Sequence, residues 1–183
     1  MRFLLLFIVF SFLSSCSQKK HSNQLPPKVI FANEIRKKVA SDLYKKKNLV
    51  PCGSGGGMMR QVEMLALSFD YRKPIDIKMG RELLIAAVDE LTVAVNADER
   101  IRPYLQNYPF EPKNIEIRIF LYNPDGSDIP PGSLSVVGAL EGVLDYKIRD
   151  PKTDQLKSIH KETYEEAVRI LLGSEASKDV INL

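Results

Sequence analysis

Between Val50 and Met59 the chain reads VPCGSGGGMM, a single cysteine followed by four glycines in five positions. Residues of these types could supply a thiolate nucleophile at Cys52, an anion cradle of successive amides, or a flexible crossing. A thiolate needs a neighbour that lowers its pKa, and His160 is the one histidine outside the N-terminal segment. A nucleotide loop needs lysine and a hydroxyl after its glycines. Here Gly53, Gly55, Gly56 and Gly57 lead into Met58 and Met59, and Ser54 lies in Gly-Ser-Gly rather than in a nucleophile elbow. The expectation is a hinge between two elements, with a small-anion or ligand loop at Cys52, Gly53, Gly55, Gly56 and Gly57 as the alternative. Two histidines in the whole chain point away from a protein-only zinc site, and no cofactor is expected. The segment NPDGSD, Asn123 to Asp128, begins like a calcium loop. Gly132 occupies the place where that loop needs glutamate, so a tight turn is expected instead.

The N-terminus gives an address. After Arg2, residues Phe3 to Leu13 form an apolar run suited to a signal-peptide core and short for a bilayer span. It ends in Leu13-Ser14-Ser15-Cys16, which resembles the lipobox of bacterial lipoproteins. The resemblance covers residues 1–16 and implies lipidation of Cys16, removal of residues 1–15 and anchoring in a bacterial cell envelope. Ser17 follows where aspartate would signal inner-membrane retention, so in a Gram-negative cell the outer membrane, facing the periplasm, is expected. Two or more acyl chains hold a protein stably on a bilayer, each buried methylene contributing about 0.8 kcal/mol.

Cleavage would leave 168 residues, enough for one domain with a sizeable core, and would lower the net charge from +3 to +2. Residues 16–50 carry nine Lys and Arg against Glu34 and Asp42, a net of +7; residues 51–183 carry sixteen against twenty-one acids, a net of −5. The basic end is the tethered end, where anionic headgroups would meet it. An exported protein with an acidic domain is not expected to bind nucleic acid. With Cys16 acylated, Cys52 has no intramolecular disulfide partner.

These residues need elements to position them. Residues 16–28 are polar, end in a double proline and read as a tether. Residues 29–183 form the expected single domain. Phe31, Ile35, Val39 and Leu43 predict an amphipathic helix from Val29 to Lys47, stopped by Asn48 and Pro51. Leu65, Leu67, Phe69 and Tyr71 predict a strand from Arg60 to Tyr71. Asp76 caps a helix that runs to about Val95, followed by a short helix over 98–105. Ile115, Ile117, Ile119 and Leu121 mark the clearest strand. Leu134 to Ile148 keeps Leu134, Val136, Leu140, Leu144, Tyr146 and Ile148 in phase, with Gly138 and Gly142 suggesting bulges or a bend. A strand near 156–160 follows, then a helix with a Thr163/Glu166 capping box that stops at Gly173. The fold class is α+β: a two-layer domain with a mainly antiparallel sheet of about four strands, ordered α-β-α(α)-β-β-β-α.

No assembled catalytic set emerges from this pattern. Tyr104, Tyr108 and Phe110 stand among prolines in RPYLQNYPFEP and would anchor an envelope protein partner if exposed. The expected function is therefore non-enzymatic protein binding on a membrane, through this aromatic loop or a sheet edge. The alternative is an envelope enzyme or small-anion binder that uses the glycine loop.

Overall fold

The computed structural model describes residues 25–181; Cys16, residues 1–15 and most of the tether lie outside them. The described residues form helix α1 (Pro27–Lys47), strands β1 (Val50–Gly57) and β2 (Met64–Tyr71), helix α2 (Ile77–Ala97), strands β3 (Ile115–Leu121), β4 (Leu134–Leu140), β5 (Val143–Arg149) and β6 (Leu156–Thr163), and helix α3 (Tyr164–Ile181). The fold is mixed α+β, with three helices and one six-stranded sheet in the order β1-β2-β3-β4-β5-β6. Neighbours pair antiparallel except β2 and β3, which run parallel and are joined through α2. No helix among the described residues is long and apolar enough to cross a membrane.

The helices share one face of the sheet. The pairing aligns Leu67, Ile117, Ala139, Leu144 and Glu162 in one row across five strands, and Phe69, Ile119, Val137, Tyr146 and His160 in the next. The eight apolar members of these rows are all buried. Ile35, Val39 and Leu43 of α1, and Leu84, Val88, Leu91 and Val95 of α2, complete the core at the expected helical spacing. Gly80 permits the approach of α2, because a Cβ there would stand 3.2 Å from Val137 Cγ1 and 3.3 Å from Tyr146 Cε1. The opposite face carries paired charges, including Arg118–Glu116 at 2.6 Å and Lys147–Asp145 at 3.3 Å.

Several expected boundaries hold. Asn48 closes α1 in the left-handed conformation, its amide donating to the Tyr44 carbonyl at 2.9 Å. The Asp76 carboxylate accepts from the Met79 amide at 2.8 Å. The Thr163 amide donates to Glu166 at 2.8 Å and the Glu166 amide donates back to the Thr163 hydroxyl at 3.2 Å, completing the capping box.

Five expectations are corrected. The sheet has six strands rather than about four. One of the extra strands is the glycine stretch itself, since Val50–Gly57 is β1 and not a hinge. The other arises because Leu134–Ile148 is two strands. Glu141 and Gly142, both at positive φ (51° and 76°), make a tight two-residue hairpin turn. This turn pairs Ala139 with Leu144 and Val137 with Tyr146. The inward positions are therefore odd-numbered in β4 and even-numbered in β5, so one continuous phase does not describe both. The short helix expected over 98–105 contracts to a single 3₁₀ turn, Arg102–Tyr104. Finally, α3 continues through Gly173, which lacks the positive φ of a helix-ending glycine.

Candidate functional site

Strand β1 sits at one end of the sheet, so its outer side faces no other strand among the described residues. Half of an edge strand's backbone polar groups point away from its neighbour and are open to pairing. Pro51, Cys52, Gly53, Ser54 and Gly56 are exposed. The ladder is irregular between Pro51 and Gly53, which leaves Gly53 to Gly57 as the regular outer edge. Glycine disfavours strands, and β1 forms because β2 supplies a hydrogen-bonding template along one edge and α1 packs against one of its faces. Gly56 alone needs to be glycine on steric grounds: at φ 149° its Cβ would fall 2.3 Å from the Met64 carbonyl oxygen.

Helix α1 turns directly into β1 through Asn48 and Leu49. From Lys47 back to Arg36 a helix climbs about 16 Å, and from Val50 to Gly55 a strand covers about the same distance. Arg36 is thereby brought level with Gly55, and its guanidinium donates to the Gly55 carbonyl and to Asn33 Oδ1. At the outer end Lys28 Nζ donates to the Met59 and Arg60 carbonyls, each at 2.8 Å, fixing the start of α1 to the turn after β1.

A groove of about 530 Å³ runs between α1 and β1, lined by Asn33, Arg36, Lys37, Ser41, Pro51 and Ser54 among others. Its lining carries two cations and no carboxylate. Arg36 is 5% exposed, and among the described residues its Nε has no hydrogen-bond partner and no carboxylate pairs with it. Burial lowers its pKa, with no opposing charge to raise it. A buried cation without an anion is costly, which makes this groove chemically incomplete.

A second, larger groove of about 1120 Å³ lies between α1 and α2. Its cations already have partners: Lys46–Glu90 at 2.7 Å, Arg100–Glu34 at 2.8 Å and Lys38–Asp42 at 2.8 Å. At the other edge of the sheet Glu162 is buried, accepting from Arg81 Nε at 2.8 Å and from the Tyr146 hydroxyl at 2.5 Å. His160 Nε2 stands 3.7 Å from Glu162 Oε2, and its ring centroid is 5.3 Å from that of Tyr146.

The chain matches no family model, no curated protein and no solved structure. Function must therefore be argued from the geometry of its own residues.

The structure separates the residues that the sequence offered for nucleophilic chemistry. Cys52 is on β1 and His160 on β6, five strand spacings or about 24 Å apart. The Cys52 thiol is pushed up to about 11, first by loss of water around it and then by Asp70, so it is protonated at neutral pH. Gly53, Gly55, Gly56 and Gly57 belong to the edge strand, in register with Ser68, Ala66, Leu65 and Met64. The aromatic residues divide. Phe110 is 1% exposed and held by Asn96, whose amide donates to its carbonyl at 2.8 Å and accepts from its amide at 2.7 Å. Tyr104 is half-buried against Phe31, their ring centroids 6.2 Å apart. Tyr108 is exposed, with the Arg102 guanidinium 4.7 Å from its ring centroid. Asn123 to Asp128 is a closed turn in which Asp125 accepts from the Ser127 amide at 2.9 Å and hydroxyl at 2.7 Å.

Sequence reasoning missed Arg36. Its signal was the spacing Ala32-Arg36-Ala40, which puts one cation between two small buried residues beside the apolar stripe.

Proposed function

We propose that this protein is a lipid-anchored component of a bacterial envelope, held by Cys16, whose α+β domain binds a partner protein through the outer edge of β1. The lipobox-like Leu13-Ser14-Ser15-Cys16 supports the anchor, and Ser17 favours an outer-membrane address facing the periplasm. The observation that carries the binding role is the contrast between the two sheet edges. Strand β6 presents Lys157 and Lys161 to solvent, the kind of charge that blunts an edge against pairing. From Gly53 to Gly57, β1 presents no charge at all. A strand added there would gain main-chain hydrogen bonds beside β1 side chains no longer than serine's, with the Arg36 guanidinium, which holds the Gly55 carbonyl, at its flank.

The test is a photo-crosslinking amino acid at Ser54, compared with one at Lys157, in the full chain expressed in bacterial membranes. A single stoichiometric envelope protein trapped from Ser54 and not from Lys157 is the expected result. Equal trapping from both positions, or none from either, would overturn the edge reading.

A second reading, a small-anion binder, is favoured by the buried Arg36 guanidinium, which no carboxylate among the described residues neutralises and whose Nε lacks a hydrogen-bond partner there. Phosphate or sulfate that raised the melting temperature of the native chain but not of Arg36→Gln would support it.

A further inference from the structure

We infer that the groove between α1 and β1 receives an extended acidic segment of the partner protein, which adds a strand beside β1 and places one carboxylate against Arg36. The inference rests on the edge reading above and names the chemistry of its ligand. Three observations converge on this groove. The strand edge over Gly53–Gly57 carries no charged side chain of its own, and of its main-chain groups the Gly55 carbonyl is already held by Arg36. Arg36, 95% buried, lines the groove with Nε unpartnered. Lys37 adds a second positive charge to the lining, and no acid balances either of them there.

The geometry also explains why an extended segment suits the groove better than a helix. The space lies between a strand edge and a helix flank, so a strand would satisfy backbone groups on β1 while its alternate side chains turned toward α1. Arg36 is tied to Asn33 and to the Gly55 carbonyl, so its planar fork is held in place before a ligand arrives. A carboxylate reaching it would meet a pre-oriented, poorly hydrated cation, the setting in which charge-assisted hydrogen bonds are strongest. The α1–α2 groove is larger but has no such demand, because the cations on its rim are matched by Glu34, Asp42, Glu90 and Asp98.

The experiment is selection of a random octapeptide display library on the full chain in detergent micelles, repeated on Arg36→Gln and on Ser54→Glu. Amide protection along β1 would be read with the selected peptides bound. The expected peptides carry Asp or Glu at one fixed position between β-branched residues and protect the Gly53–Gly57 amides. Replacing that acid by its amide should weaken binding at least tenfold. Arg36→Gln should erase the acidic preference, and Ser54→Glu, which brings a carboxylate into the groove itself, should abolish binding while raising the melting temperature. Peptides that protect β1 without any acidic preference would overturn the carboxylate assignment and leave the edge reading standing. Selection of no peptide, with β1 unprotected, would overturn both. Full competition by inorganic phosphate with β1 unprotected would overturn the peptide in favour of a small anion.

Discussion

Glu162 and Arg36 are both ionisable side chains with almost no exposure, 6% and 5%, near opposite edges of the same sheet. Their surroundings differ in kind. Glu162 is met by a cation and a hydroxyl supplied by the chain itself, Arg81 and Tyr146. Arg36 is met by a backbone carbonyl and an amide oxygen, with no carboxylate among the described residues. Glu162 keeps one oxygen, Oε2, without a hydrogen-bond partner among the described residues, as Arg36 keeps its Nε, but its charge is neutralised by the chain itself and reads as part of the fold. A buried charge that the chain has left unneutralised is tolerated only at a cost, and points outward to what completes it. The same substitution at the two cations tests that difference.

Arg81→Met should have the largest effect. It leaves the Glu162 carboxylate buried without its cation, a loss of roughly 3–5 kcal/mol by the behaviour of broken buried pairs. Urea denaturation of the full chain would measure it; a loss under about 1 kcal/mol would mean that Glu162 is neutral or hydrated in the folded protein.

Acid sharpens the comparison. Burial pushes the Glu162 carboxyl up, but the hydrogen bonds from Arg81 and Tyr146 and the Arg81 charge outweigh it and hold the group below its ordinary value. A carboxyl depressed in the folded state contributes stability that is present above its unfolded pKa, near 4.3, and lost as pH falls through the folded one. Stability of the native chain should therefore fall in that acid window more steeply than that of Glu162→Gln. Parallel pH profiles of the two proteins would show that another carboxylate governs the acid limb.

Arg36→Met should do little to stability, within about 1 kcal/mol of the native chain. The substitution removes two hydrogen bonds, but also the cost of an unpaired buried cation, and these offset. The matched pair of variants thus predicts a large loss at one edge and near-neutrality at the other. A loss at Arg36 as large as that at Arg81 would make Arg36 a structural residue and leave no reason to expect a ligand.

The same two residues show what a sequence discloses. Apolar periodicity located α1, α2, β2 and β3, because each buries one face and repeats at its own spacing. Local chemistry located the caps at Asp76 and Thr163, which depend on residues three positions apart. Strand β1 was illegible because nothing in VPCGSGGG prefers a strand; its conformation is imposed by pairing with β2 and packing against α1, tertiary contacts that its own residue types do not encode. The hairpin at Glu141 was hidden by a residue rarely placed at positive φ. Arg36 looked like any helix lysine or arginine. Its burial follows from the close match of a helical and an extended path after Asn48, a coincidence of lengths that periodicity does not register.

The smallest expected effect separates the edge from the thiol upon it. Cys52 lies on β1 just before the regular edge begins, its side chain is exposed and, being protonated, it carries no charge toward the groove. Serine has nearly the same shape and keeps a donor for Asp70, so Cys52→Ser should change stability by no more than about 0.5 kcal/mol. Capture of a partner from the Ser54 photo-crosslinker should be equally unaffected, because pairing at Gly53–Gly57 uses the main chain and Arg36 rather than sulfur. Loss of capture in a Cys52→Ser chain of unchanged melting temperature would move the chemistry from Arg36 to the thiol. The site would then bind its partner through a reactive sulfur, and the unpaired guanidinium would need another account.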